Sequence, residues 1–134
     1  MRFSVEDRAA VKRKEEFLLE WVSENISQFM GSCGRPPGPA DCRALAAAMV
    51  RSAMIATDDE SMLYLAKVME VPSMRCCDLL HKMWSAGRVQ DAEVVAIYQA
   101  LHRNMDLPVQ WLVVRSTLFK RIKHRLTDDL LAAE

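Results

Sequence analysis

Four cysteines, three histidines and one run of acids carry the side chains that could bind a metal or attack a substrate, so their spacing comes first. Cys33, Cys42, Cys76 and Cys77 contain no pair separated by two residues, the spacing that tetrahedral zinc sites favour. Cys76 and Cys77 are adjacent, and on a helix adjacent side chains point in different directions. Cys77 and His81 share a helical face at i, i+4 but lack two further ligands. A disulfide between Cys33 and Cys42 would close a short loop, and a reducing cytosol argues against it. The thiols therefore read as small buried hydrophobes. His81, His102 and His124 are scattered, and no nucleophile elbow, P-loop or dinucleotide glycine pattern occurs. Gly31, Gly34 and Gly38 sit among prolines and make no phosphate cradle, and "TDDE" from Thr57 to Glu60 reads as a helix start. The expectation is a protein without catalytic residues, cofactor or metal.

Charge narrows the remaining classes. Eighteen Lys and Arg balance eighteen Asp and Glu, which excludes a uniformly basic nucleic-acid coat. One stretch departs from that balance. Arg115 to Leu126 holds Arg115, Lys120, Arg121, Lys123, His124 and Arg125 with no acid. On a helix Lys120, Arg121, Lys123, His124 and Arg125 form a broad arc opposite Leu118 and Ile122, with Arg115 inside the apolar stripe; the arc suits DNA phosphates through counterion release, or an acidic protein partner. Arg125 and Asp129 at i, i+4 would neutralise part of it.

The elements that must position these residues read as an all-α, single-domain bundle of about six helices. "SVED" opens a first helix from Ser4 to about Phe29, and "GSCGRPPGPAD" then forms a loop or hinge. Asp41 caps a second helix, Thr57 a third over 58–69, and Asp91 a fifth. Pro72 fits the first turn of a fourth helix that Gly87 closes. The last helix follows Pro108, with a short strand at 109–114 as the alternative because that segment is rich in β-branched residues. The domain 1–134 thus divides into an N-terminal helix (1–30), a Gly/Pro loop (31–41) and a helical core (42–134). Trp21, Leu65, Leu79, Leu80, Ile97 and Ile122 are its expected core. No run of about 18 apolar residues and no signal-peptide pattern occurs, so a cytoplasmic protein without membrane contact is expected.

The stretch "LAKVMEVPSMRCCDLLHKMWSAGRV" joins the third and fourth expected helices. Ala66 supplies a small crossing residue, Val71 an apolar turn anchor, and Cys76, Leu79 and Leu80 the inner face of the second helix. Over Ser61 to Val89 the chain resembles the generic helix-turn-helix of bacterial transcription regulators. That resemblance implies that the fourth helix reads double-stranded DNA, presenting Ser73, Arg75 and Lys82, with Arg75 on guanine and Lys82 on phosphate. Glu70 stands where such proteins often place glycine, and no wing follows "AGRV". A plain αα-hairpin would show the same apolar pattern, since that pattern reports packing rather than a partner.

Two functions compete. One is a small DNA-binding regulator using the hairpin and the basic C-terminal helix. The other is a non-enzymatic protein–protein adaptor or inhibitor, of a size and composition that suit a phage or plasmid. The Gly/Pro hinge would let the first helix pack on a neighbouring subunit through Phe17 and Trp21. A homodimer at micromolar concentration is the expected outcome in sedimentation, and a concentration-independent monomer mass would refute it.

Overall fold

A computed structural model describes residues 2–31 and 34–127. The described residues are mostly helical, as expected of an all-α chain, with one very short parallel strand pair, and the chain divides into two compact units, Met1–Arg75 and Cys76–Glu134.

In the first unit, α1 (Val5–Glu24) starts as its sequence predicts. The Ser4 hydroxyl accepts the Asp7 N–H at 3.0 Å, and the Asp7 carboxylate accepts the Ser4 N–H at 3.2 Å. The helix stops earlier than expected, where the Asn25 side chain donates to the Trp21 carbonyl at 2.8 Å. A separate turn, α2 (Ser27–Met30), then buries Phe29. Next, α3 (Pro39–Arg51) begins ahead of the expected Asp41 cap, because Pro39 tolerates a first turn and the Asp41 carboxylate accepts the Gly38 N–H at 3.1 Å. The hinge expectation gives way here. Helix α1 packs on α3 of its own chain, burying Leu18 and Val22 with Cys42, Leu45 and Ala46. Ion pairs Glu15–Arg43 (3.2 Å) and Asp7–Arg51 (3.3 Å) fix the two helices antiparallel. Trp21 is partly buried and meets Phe29 edge-on at 6.1 Å, while Phe17 stays half exposed.

Helix α4 (Glu60–Val68) adds Met62, Leu65 and Ala66 to the same core. Its cap is Asp59 rather than Thr57. The Asp59 carboxylate accepts the Ser61 N–H at 3.0 Å, and the Thr57 hydroxyl accepts the Asp59 N–H at 3.1 Å. On either side of α4, β1 (Ile55–Ala56) and β2 (Ser73–Met74) pair in parallel, Ile55 opposite Ser73. Pro72 therefore precedes a strand instead of opening a helix, and its carbonyl accepts the Ile55 N–H at 3.0 Å.

The second unit holds α5 (Cys76–Ser85), α6 (Asp91–Arg103), α7 (Trp111–Val114) and a 3-10 helix, Lys120–Arg125. Its core gathers Cys77, Leu80, Val94, Tyr98, Trp111, Phe119, Ile122 and Leu126. Leu79 and Ile97, both expected inside, are 40% and 41% exposed, since Leu80 and Val94 take the inner faces of α5 and α6. The expected cap Asp91 is the first helical residue, after Gln90. The long last helix is interrupted as well, and segment 109–114 is not a strand. Thr117 donates its hydroxyl to the Val113 carbonyl at 3.0 Å, and the Phe119 N–H reaches back to Val114 at 2.9 Å, turning Phe119 onto Trp111. Of the expected hairpin, α4 contributes to the first core and α5 to the second.

Four helices end alike. After α3, α4, α5 and α6 the chain turns left-handed at Ser52, Glu70, Gly87 and Met105, with φ of 50°, 58°, 73° and 57°. The next N–H then reaches back five residues in each case, to Ala48, Ala66, Met83 and Leu101. This is the Schellman ending, which glycine adopts without a Cβ penalty. Met105 is 92% exposed, so its side chain contributes no packing. Met105→Gly should raise stability by about 0.5 kcal/mol, the strain relieved less the extra chain entropy of glycine. A thermal melt would show a midpoint higher by a few degrees, and an unchanged or lower midpoint would refute the strain.

Candidate phosphate-binding face

The residues expected to meet DNA are distributed unevenly. Ser73 is exposed on β2, and Arg75 follows it, so both precede α5 rather than lying on it. The Arg75 guanidinium donates to the Glu60 carboxylate at 2.7 Å and is 25% exposed. Only Lys82 of that trio is on α5, where it is exposed.

The basic C-terminal segment keeps its cations close together, in a different form. Residues 107 to 127 include no Asp or Glu. Lys120, Lys123, His124 and Arg125 are exposed along the 3-10 helix, whose three-residue turn stacks Lys120 on Lys123. The broad α-helical arc expected from the sequence is thus replaced by a short 3-10 helix, on which Lys120 and Lys123 share a face, held down by Ile122 and Leu126. Arg115 is half-buried, and its Nη1 donates to the hydroxyl of the fully buried Tyr98 at 2.6 Å. Arg115, Ser116, Lys123, His124, Leu126 and Thr127 line one open hollow of about 380 Å³. Asp129, the expected partner of Arg125, lies outside the described residues, as does Cys33, one half of the disulfide considered above.

Arg121 stands apart from this group. It donates to both oxygens of Asp91, at 2.7 and 3.0 Å, with its guanidinium 4.8 Å from the centre of the Trp84 ring. Trp84 Nε1 donates to the same carboxylate at 2.8 Å. The Arg121 hydrogen bond first, and the Trp84 one after it, hold the Asp91 carboxyl below its ordinary value. Arg121 is raised in turn, chiefly by the bond to Asp91. This cation braces the unit. Its partner is thirty residues away in sequence, beyond the reach of any local pattern.

A larger hollow, about 730 Å³, lies between α1 and α3, floored by Val11, Leu19, Ala40, Ala44 and Ala47 with Arg8 and Lys12 beside it. Next to it Cys42 is fully buried, and burial first, then Asp41 and Glu15, push its thiol up to about 11. That keeps it protonated and unreactive at neutral pH. Among the described residues no three His, Cys, Asp or Glu side chains cluster to hold a metal, and no helix is long and apolar enough to cross a membrane.

The Asp91 pairing has a pH signature. A carboxyl whose folded pKa is depressed contributes stability that is present above its unfolded pKa and lost as the pH falls through the folded one. Urea midpoints of the wild type should therefore decline on acidification from the ordinary aspartate range downward. Asp91→Asn should flatten that decline, and an identical acid limb in the variant would show that the pair is inconsequential.

No protein-family model matches the chain, and no curated protein or solved structure matches it.

Proposed function

We propose that the chain is a non-enzymatic binding protein whose second unit contacts the phosphate backbone of double-stranded DNA. The observation that carries this reading is the acid-free segment 107–127, with Lys120, Lys123, His124 and Arg125 exposed on one short helix. Basic side chains held close together on one short helix release counterions when they meet phosphates, and this release drives backbone binding. The proposal gives α5 no base-reading role. Arg75 is paired with Glu60 ahead of the helix, which leaves Lys82 alone among the three expected readers. Binding is accordingly expected to be sequence-tolerant.

A protein–protein adaptor is the second reading, and the apolar hollow between α1 and α3 favours it. The two readings separate in salt. Duplex affinity should fall with salt at a slope of about −0.9 for each phosphate neutralised. Lys120→Ala, Lys123→Ala and Arg125→Ala should each flatten that slope by up to about 0.9, equally on every duplex sequence. Arg121→Gln should leave the slope unchanged, because Asp91 already occupies that cation. Absence of duplex binding by the wild type at low salt would overturn the proposal and leave the adaptor.

A further inference from the structure

We infer that the hollow between α1 and α3 is half of a two-fold interface, in which α1 of a second copy of this chain lies antiparallel to α1 and closes the hollow. The inference uses the first unit alone and goes beyond the phosphate-backbone reading, which concerns the second. It starts from the order of charges along α1. Residues 8–14 carry Arg8, Lys12, Arg13 and Lys14 with no acid, and residues 15–24 carry Glu15, Glu16, Glu20 and Glu24 with no base. Asp7 and Glu15 are matched by Arg51 and Arg43 of α3. Arg8, Lys12, Glu16 and Glu20 are exposed and form no ion pair with another described residue. This order is unfavourable in a lone helix. A cation four residues before an acid is the weaker sense of an i, i+4 pair, and the last turn of α1 has no base to meet the negative end of its dipole.

The same order fits a second copy. Arg8, Lys12, Glu16 and Glu20 recur every four residues and so form one stripe, two cations followed by two acids. Arg8, Lys12 and Glu16 border the hollow, and Val11, Leu19, Ala40, Ala44 and Ala47 give it an apolar floor. Laid antiparallel on its own copy, the stripe meets an opposite charge at every position. With the two Lys14 residues level, Lys12 faces the partner's Glu16 and Arg8 faces the partner's Glu20, and the two-fold axis repeats both pairs. Lys14 itself points about 160° away from Lys12 and from Glu16, so the two lysines do not confront each other. A parallel copy would set cation on cation and acid on acid. Ala40 and Ala44 are exposed, and such small side chains let a third helix approach α3 closely. An unrelated helix would need this charge order in reverse, whereas a copy of α1 supplies it by symmetry.

The competing explanation is that the stripe is only a solvated face and that association runs through Phe17, which lies about 100° around α1 from Glu16. Sedimentation equilibrium of the full chain at low salt separates the two. The wild type should dimerise reversibly, and less tightly as salt rises. Arg8→Glu with Lys12→Glu makes the stripe wholly acidic, and Glu16→Lys with Glu20→Lys makes it wholly basic. Each of these variants alone should be monomeric where the wild type is dimeric, and an equimolar mixture of them should regain the dimer mass. All four positions are exposed, so far-UV circular dichroism should match the wild type. Lys12→Glu alone should weaken the dimer about tenfold or more, because the two-fold axis counts the change twice. Adding Glu16→Lys to the same chain restores the match and should restore the dimer, and Phe17→Ser should leave it unchanged. A wild type that stays monomeric at millimolar concentration would overturn the inference and leave the hollow to an unlike protein. A dimer that persists in both charge variants, or a mixture that fails to regain it, would overturn it as well.

Discussion

The stacking of Trp111 on Phe119, ring centroids 5.2 Å apart and planes within 13°, is the interaction on which the second unit's basic face depends. Phe119 can reach Trp111 only because the chain breaks its helix after Val114 and folds back on itself. That break converts the following basic residues from a long amphipathic helix into a short 3-10 helix. It also sets Arg115 beside Tyr98 and on the same hollow as Lys123 and His124. Trp84 packs on the other side of Phe119, at 5.2 Å, and carries the Asp91–Arg121 brace. The hydrophobic core and the backbone that carries the basic residues are therefore one arrangement.

Local signals in the sequence were legible where a single turn of chain decides the outcome. "SVED" makes its reciprocal cap, the Gly/Pro stretch interrupts the helices, and Gly87 ends α5, because each of these depends on neighbours within a few residues. One boundary shifted because neighbouring residues offered the same chemistry. In "TDDE" both Thr57 and Asp59 have an oxygen suited to capping, and the later one takes the helix. The expected core was right for Leu65, Leu80 and Ile122 and wrong for Leu79 and Ile97. Leucines at 79 and 80 are equally apolar, and only the arrival of α6 and Phe119 selects one of them.

Long-range features were not legible. The β1–β2 pairing joins residues 18 apart through only two residues on each side, too short for alternation to register. The Asp91–Arg121 pair spans thirty residues, and without it Arg121 reads like any other cation of the segment. The basic character of 115–125 was plain from the sequence, whereas the division between bracing and exposed cations required the fold.

The small parallel pair has a kinetic consequence. By joining residues 55–56 to 73–74 it closes α4 into a loop sealed at its base, and the Glu60–Arg75 ion pair reinforces the seal from outside the strands. A closed loop opens as a unit, since releasing the Ile55 and Thr57 amides restores chain freedom to every residue between the strands at once. Helix α4 should thus exchange its amide hydrogens cooperatively, as the strand bonds and the packing of Met62, Leu65 and Ala66 part together, instead of fraying from its ends.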